Sequence, residues 1–353
     1  MSTPPSRSSG DDPSDTRRGA GSADSDLPLA PTGAVDTASV VVVTYERVDY
    51  LVRCLDHLRA QTRPALEVLV VDSSPGGATA RMVRSDYPEV HYLACPAGYG
   101  AMATARNQGY LAASGDVIAF VDDDAFAEPD WLERLLPHYD DPGVGAVGGR
   151  QIRHQTGELT QGVDAIGHLD EDGFISGNFG ADPGRVIEVD HLLGANMSFR
   201  RSVLDEIGGI RDGYAGTCVR EETDLCLRVA HTGYRLLFVP DAVVEHVAAP
   251  YAKGRRFDIR YHYWDQKNHL IVLMRNFGPG GTLVRRYLQA SLRAAAVDAG
   301  DRLGRAWSRG RGGDPHGAAS SFGGAVLRPA VVVAASVTGL LTGLRLASTD
   351  RRP

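Results

Sequence analysis

Four short apolar runs, separated by segments with helical spacing, constrain the fold of this chain more than any other feature. The runs are SVVVVTY from residue 39, LEVLVVD from 66, VHYL from 90 and DVIAFVDDD from 116. The first run is typical of a strand that is buried on both faces of a sheet, the second predicts another buried strand, and the last two predict further strands. Because helical patterns alternate with them, the sequence predicts an α/β fold with a mostly parallel sheet and helices on both faces.

Polar residues stand where the predicted strands end. Thr44 and Tyr45 close the first run, Asp72 closes the second, and three consecutive aspartates close the fourth. In parallel α/β sheets, ligands bind beyond the carboxyl ends of the strands. The sequence therefore predicts one rim that carries both a base- or sugar-binding pocket and an acidic cluster.

The aspartates at 122–124 are the strongest chemical signal in the sequence. Adjacent carboxylates repel one another by on the order of 1 kcal/mol per pair unless water or a cation screens them. In extended backbone, Asp122 and Asp124 point to one side and Asp123 to the other. Asp122 and Asp124 could therefore converge on Mg²⁺ or Mn²⁺, which prefer oxygen ligands. The alternative is a solvated acidic turn.

Three further groups have either a structural or a chemical explanation. Glu221, Glu222 and Asp224 open a predicted helix, where they complement the helix dipole. A carboxylate there could also be the general base for an incoming hydroxyl near a metal-bound diphosphate. His246 is a metal ligand only if the fold brings it to the aspartates, because a lone histidine is more often structural. Arg106, on the helix before the aspartates, could hold a phosphate or pair with the acids.

A glycine motif suggests a different class of protein. Gly98, Gly100 and Ala103 match the G-x-G-x-x-A pattern of dinucleotide-binding folds, with an aspartate about 20 residues further on. This pattern would make the chain an NAD-dependent oxidoreductase. The pattern belongs, however, to the first strand–helix turn of such folds, and two predicted strands precede these glycines.

The order of motifs resembles the family-2 glycosyltransferases, which have the GT-A fold. The matching segments are VVVVTYER, EVLVVDSS, ATARNQG, FVDDDA, GANMSFRR, EETDLCLR and GYRLLFVPDAVVEH. The resemblance implies inverting transfer of a sugar from a nucleoside diphosphate donor of the UDP, dTDP or GDP type to a hydroxyl. It also implies Mn²⁺ or Mg²⁺ as cofactor and, as acceptor, a glycan or glycolipid of the cell envelope. A non-catalytic scaffold that keeps this fold is a further alternative.

The resemblance implies roles for individual residues. Asp124 and His246 match the metal ligands of the family, and Glu222 matches its catalytic base. The family commonly has Glu-Asp where this chain has Glu221-Glu222, so Glu221 and Asp224 stay open as alternatives for the base. The positions implied to bind the nucleotide sugar are Thr44, Tyr45, Glu46, Asp72, Arg106, Asp122, Asp123, Gly194, Ala195 and Asn196.

The N-terminal end predicts no folded structure. Residues 1–37 are rich in Ser, Asp, Gly and Pro, which predicts a disordered tail before a GT-A domain over 38–250. The tail has no basic segment followed by an apolar core, so no secretory signal is predicted and the catalytic body is expected in the cytoplasm. Four scattered cysteines, with no CxxC pair, indicate neither a disulfide framework nor a zinc site.

The C-terminal third is basic although the whole chain has a net charge of −7. From Lys253 onward there are 17 Lys and Arg against 6 Asp and Glu. The remaining acidic body argues against a nucleic-acid partner. We predict a helical extension over 251–303, a linker over 304–324 and a membrane-associating tail over 325–353. Within the apolar stretch 329–347, the 15 residues from Ala330 to Leu344 precede Arg345, which is fewer than the ~20 residues of a typical span. An in-plane or re-entrant anchor at the anionic inner face of the cell membrane is therefore expected rather than a true crossing, with a merely solvated basic face as the alternative.

Overall fold

The structure is a computed structural model of the whole chain, and it describes residues 35–153, 162–216, 219–247, 249, 258–311 and 315–350. Most of the predicted disordered tail, residues 1–34, lies outside the described residues. Among the cysteines, Cys54, Cys95 and Cys226 are buried and free, while Cys218 lies outside the described residues.

The strands of the mixed sheet are β1 (Ala38–Thr44), β2 (Glu67–Asp72), β3 (His91–Ala94), β4 (Val117–Asp122), β5 (Ala125–Ala127), β6 (Val144–Ile152), β7 (Ile187–Glu188), β8 (Met197–Arg200) and β9 (Arg235–His246). Their order in the sheet is β3-β2-β1-β4-β8-β6-β9-β5, with β7 paired to β9. Strands β1 to β4 are mutually parallel, which confirms the first half of the prediction. Strand β8 is antiparallel to both β4 and β6, so the second half of the sheet is mixed rather than parallel.

Helices cover both faces of the sheet and continue into a C-terminal helical region. The central strands β1 and β4 are almost fully buried, as their continuous apolar sequences require. The helices are α1 (Val48–Arg59), α2 (Ala78–Asp86), α3 (Met102–Ala112), α4 (Trp131–Leu135), α5 (Arg201–Ile207), α6 (Glu221–His231), α7 (Ile259–Phe277), α8 (Thr282–Arg311) and α9 (Pro315–Asp350). Short 3₁₀ helices occupy Leu136–Asp140 and Val163–Ala165.

Strand β9 is longer than the sequence predicts. The segments on either side of Pro240 read as two short strands, but the structure joins them into one. Proline lacks the N–H that a continuous ladder needs. The strand accommodates it because the pairing of β6 with β9 shifts register between Gly149 and Gln151, after which the end of β9 also pairs with β5. The sequence HLLGANMSF over 191–199 also favours a strand, but in the structure the strand begins only at Met197, as β8.

The predicted linker over 304–324 is wrong, because α8 continues to Arg311 and α9 begins at Pro315. The Gly and Ser residues of this stretch suggest a flexible connection, but its Ala and Arg residues favour helix. Tertiary packing adds to this preference: α9 lies on α7, where Gly339 and Gly343 allow close approach. A Cβ at Gly343 would lie 2.6 Å from Met274 Sδ, and one at Gly339 would lie 3.1 Å from the Lys267 carbonyl oxygen.

Candidate active site

A cavity of about 330 Å³ opens at the carboxyl ends of β1 and β4. This is the rim at which the sequence places the ligand site, because β1 and β4 run parallel with Val43 opposite Asp122. The wall of the cavity combines carboxylates, arginines, aromatic rings and a glycine loop. Its polar lining includes Thr44, Tyr45, Arg47, Tyr99, Arg106, Asp122, Asp123, Asp124, Gln151, Arg153, Glu222, His246 and Tyr261.

Asp122, Asp124 and His246 meet at one point of this cavity. Each offers one ligand atom, and these atoms all lie within 4.8 Å of one another. The pairing of β5 with β9 explains the meeting, since Ala125 lies opposite His246 and places the ring beside Asp124. His246 Nε2 lies 3.2 Å from Asp124 Oδ1. His246 Nδ1 is among the buried polar atoms of the described residues that have no hydrogen-bond partner.

The charge state of Asp124 suits a ligand for a cation. Burial alone would raise the pKa of its carboxyl group, but the hydrogen bond and charge of His246, together with Arg47, lower it below the usual value. The carboxylate is therefore ionised at neutral pH. Two carboxylates and one imidazole fit a divalent ion such as Mn²⁺, and the nitrogen ligand is less typical of Mg²⁺.

Asp123 also lines the cavity, but its carboxylate has partners outside this group. The predicted alternation does not apply, because Asp123 and Asp124 lie in the turn between β4 and β5 rather than in extended backbone. Thr44 Oγ1 donates to Asp123 Oδ2 over 2.7 Å, and Arg47 Nη1 lies 3.0 Å from Asp123 Oδ1. Arg47 Nη1 also lies 3.4 Å from Asp124 Oδ2. Asp123 therefore joins the end of β1 and the start of α1 to the aspartate segment.

Arg106 links the aspartate segment at the end of β4 to the acids at the start of α6. It is buried, and its Nη2 lies 3.0 Å from Asp122 Oδ1 while its Nη1 contacts Glu221 Oε1. Glu221, at the start of α6, is also buried. The arginine therefore neutralises a carboxylate that would otherwise be buried without a counter-ion.

We expect the substitution Arg106→Gln to destabilise the fold by about 3 kcal/mol, because it leaves the buried Glu221 carboxylate without its cation. Urea denaturation of the two proteins measures the difference. Arg134→Gln is the matched control: its partner Asp130 is exposed, and such surface pairs contribute under about 1 kcal/mol. Equal losses in the two variants would contradict the structural role of Arg106.

The three acids at the start of α6 have different surroundings. Glu222 lines the cavity, whereas Glu221 turns inward to Arg106. Asp224 is fully buried on another side of the helix, where its Oδ1 accepts from Asn276 Nδ2 over 2.7 Å. The structure therefore brings Glu222 to the cavity with Asp124 and His246, and leaves Glu221 and Asp224 outside its lining.

Asp224 also belongs to an ion-pair network that reaches the C-terminal helix. Arg211 Nη1 lies 3.7 Å from Asp224 Oδ1 and 3.6 Å from Asp350 Oδ2. Arg275, on α7, pairs with the same Asp350 over 2.8 Å. The last turn of α9 is thereby connected to the first turn of α6.

Of the remaining positions that were predicted to bind the nucleotide sugar, four line the cavity and three do not. Thr44, Tyr45, Gly194 and Ala195 line the cavity. Three others lie outside its lining. The Asp72 carboxylate accepts from Tyr92 Oη and the Ser74 amide, the Glu46 amide donates to Ser74 Oγ, and Asn196 is buried against Trp131 Nε1.

Several lining residues were not predicted from the sequence. Arg47 follows the first strand, Gln151 and Arg153 lie at the end of β6, and Tyr261 belongs to α7. Arg47 could have been found as the one cation beside the first predicted strand end, but Tyr261 gave no such signal. Residues 98–101 also line the cavity, and they form the loop after the third strand. The glycine motif is therefore not in the first strand–helix turn, where a dinucleotide fingerprint belongs.

Comparison with known proteins decides the family. A family model described as glycosyl transferase family 2 matches residues 39–208. A glucosyl-dolichyl phosphate glucuronosyltransferase of Haloferax volcanii is 31% identical over 222 residues, which cover 59% of this chain and 68% of that protein. The chain belongs to glycosyl transferase family 2. This glycosyltransferase is also 29% identical to a pre-mycofactocin glycosyltransferase of Mycobacterium tuberculosis, of whose length it covers 44%.

Solved structures agree on the fold of this glycosyltransferase. The crystal structure of GalNAc-T7 with UDP, GalNAc and Mn²⁺ has a TM-score of 0.53 at 18% identity, covering 68% of this chain and 48% of that one. Mannosyltransferase PcManGT from Pyrobaculum calidifontis, in complex with GDP-Man and Mn²⁺, has a TM-score of 0.50 at 20% identity, covering 93% and 92%. The GT-A fold is confirmed, and the oxidoreductase alternative finds no support.

Proposed function

We propose that this glycosyltransferase moves a sugar from a nucleoside diphosphate donor to an acceptor hydroxyl with inversion at the anomeric carbon. The observation that carries the proposal is the convergence of Asp122, Asp124, His246 and Glu222 on one cavity. A cation site and a separate carboxylate base are the two groups that such a transfer requires. The donor complexes of fold relatives, which contain UDP or GDP-Man with Mn²⁺, are consistent with it.

Glu222 is the proposed general base. Burial raises the pKa of its carboxyl group above the ordinary value, against the opposing charge of Arg106. A carboxylate with a raised pKa is a stronger base toward a hydroxyl. As the acceptor oxygen attacks the anomeric carbon, its proton passes to Glu222, and the bond to the diphosphate breaks on the opposite face.

Asp122, Asp124 and His246 would hold the divalent ion. When bound, the ion would neutralise the negative charge that develops on the leaving diphosphate. Arg106 keeps Asp122 in position through its 3.0 Å contact. Tyr45 and Tyr99, whose ring centroids are 5.2 Å apart, offer aromatic surface to a nucleobase at the same rim.

A thermal-shift panel tests the donor class and the cation together. We expect UDP, dTDP or GDP sugars to raise the melting temperature of the full chain when Mn²⁺ is present, and to raise it less without the ion. A ligand at 100 times its dissociation constant stabilises the folded state by about 2.7 kcal/mol. Stabilisation by NADH, with none by any nucleoside diphosphate sugar, would contradict the proposal.

We also propose that α8 and α9 attach the enzyme to the anionic cytoplasmic face of the cell membrane. Within the described residues, one stretch, Ala325–Asp350, is long and apolar enough to cross a membrane, and an 18-residue window within it has a mean hydropathy of 1.8. One side of it packs on α7, which supports an anchor lying along the surface over a spanning helix. The exposed large apolar residues of α8 and α9 include Leu292, Val297, Leu303, Trp307, Val326, Leu327, Val333, Val337, Leu341 and Leu344.

A vesicle flotation assay tests this attachment in the full chain. We expect binding to vesicles with anionic lipid, weaker binding to neutral vesicles, and a bound fraction several-fold lower for the double variant Val337→Glu with Leu341→Glu. Leu111→Glu is the control, because this α3 leucine is 72% exposed outside the helical extension. Binding that ignores both lipid charge and the α9 substitutions would contradict the attachment.

The acceptor proposed is a glycan or lipid-linked intermediate of the cell envelope. A lipid-linked acceptor would be presented at the membrane surface, next to the proposed anchor. The name of the Haloferax relative, which refers to a dolichyl phosphate substrate, supports a lipid-linked acceptor for this chain as well. Tyr261 of α7 lines the cavity, so the helical extension would also contribute to the acceptor side.

A further inference from the structure

We propose that Arg47 is an internal counter-cation of the metal site, which occupies Asp124 before the divalent ion binds and turns to the donor diphosphate once the ion takes its place. The inference rests on the proposed function and adds a residue to it. It predicts that the ion and Arg47 compete for one carboxylate, while the nucleotide needs both.

The position of Arg47 follows from the turn between β1 and α1. Glu46 has a φ of 53°, in the left-handed region that a glutamate rarely adopts, and its amide donates to Ser74 Oγ. This turn sends Arg47, at the N-cap position of α1, back over the rim of β4. The side chain is buried except for 22% of its surface, and it lines the cavity.

Both oxygens of Asp124 already have partners. Oδ1 lies 3.2 Å from His246 Nε2, while Oδ2 accepts from the Ala249 amide over 2.7 Å and lies 3.4 Å from Arg47 Nη1. An ion bound between Asp122, Asp124 and His246 would therefore share a carboxylate with a guanidinium. Because like charges at such separations repel strongly in a partly buried site, the arginine opposes binding of the ion.

Arg47 would not leave the rim when it gives up Asp124. Its Nη1 keeps the shorter contact, 3.0 Å, to Asp123 Oδ1, and Thr44 holds the other oxygen of that carboxylate. Asp123 thus tethers the guanidinium beside the metal group without itself belonging to that group. A planar guanidinium can donate two parallel hydrogen bonds to phosphate oxygens, and this match favours the donor diphosphate as its new partner.

The substitution Arg47→Gln separates the effect of Arg47 on binding of the ion from its effect on binding of the nucleotide. Binding of Mn²⁺ alone, followed by the electron paramagnetic resonance signal of the free ion, is expected to become about threefold or more tighter, because a competing charge is removed. Binding of UDP or GDP at saturating Mn²⁺, measured by calorimetry, is expected to become about tenfold weaker, because a bidentate partner is lost. Neither measurement depends on transfer activity.

Two further variants complete the design. Arg47→Lys keeps the charge but not the planar fork, so it should bind Mn²⁺ like the unchanged protein and still bind the nucleotide more weakly. Arg53→Gln removes a charge from the same helix, where Arg53 stacks 4.0 Å above the Phe126 ring, and should change neither affinity.

The outcomes distinguish this inference from the proposed function. If the unchanged protein binds Mn²⁺ and nucleotide but Arg47→Gln binds the ion equally or less tightly, the role of Arg47 is wrong and the proposed function stands. If the unchanged protein binds neither, both fail. Tighter ion binding together with weaker nucleotide binding supports the inference.

Discussion

Asp124→Asn is expected to lower kcat by at least about 100-fold, since the ion that Asp124 would help to hold stabilises the charge on the leaving diphosphate. The structure makes this aspartate the centre of the metal group, with His246 on one oxygen and the Ala249 amide on the other. Asparagine has nearly the same shape, so the fold should be kept while the negative charge is lost. Initial rates over a range of Mn²⁺ concentrations measure the effect.

The variant Asp123→Asn provides the comparison within the same segment. The Asp123 carboxylate contacts Thr44 and Arg47, and it contributes none of the three grouped ligand atoms. We therefore expect a smaller loss of kcat and little change in the Mn²⁺ concentration that gives half the maximal rate. An equal loss in both variants, with the same Mn²⁺ dependence, would argue against Asp124 as the ligand.

Glu222→Gln is expected to lower kcat by about 10²- to 10⁴-fold, the usual contribution of a general base. Glutamine cannot accept the proton of the acceptor hydroxyl, although it fills the same space. Binding of the nucleotide should be nearly unchanged, because the substitution affects the attack on the anomeric carbon. Glu206→Gln, the same change at an exposed position of α5, should leave the rate unaltered.

The pH dependence of the unchanged enzyme gives a second measure of Glu222. The base acts in its deprotonated form, so the rate should fall as the pH drops through its pKa. Burial raises that pKa above the ordinary 4.5 of a glutamate, and the acid limb should therefore lie above pH 4.5. Glu222→Gln should lose this limb. A limb that persists in the variant would assign the base to another group.

The parts of the fold that follow from continuous apolar strands were predictable. β1, β2 and β4 are largely buried, whereas β3 is a more exposed edge strand, and the strand order sets the rim on which the aspartates stand. The placement of His246 was conditional, because it depends on the pairing of β9 with the three-residue strand β5. A strand that short carries no periodic signal of its own, so its pairing is decided by tertiary structure.

Roles within a helical turn were harder to predict. Glu221, Glu222 and Asp224 are equivalent by composition, and the direction of each side chain depends on where α6 begins and what surrounds it. Arg106 pairs with Glu221, and Asn276 and Arg211 contact Asp224. Glu222 lines the cavity. Arg106 lies 115 residues from Glu221 along the chain and Asn276 lies 52 residues from Asp224, and a single sequence gives no information on such distant contacts.

The network that ends at Asp350 has a practical consequence for handling the enzyme. Removing an apolar C-terminal helix is a common way to obtain better-behaved material for crystallisation. In this chain the cut would also remove Asp350, the ion-pair partner of Arg275 and Arg211. Arg211 also contacts the buried Asp224, which lies two positions from Glu222. An inactive truncated enzyme would therefore be no proof that catalysis requires lipid, and the untruncated chain is the safer starting point.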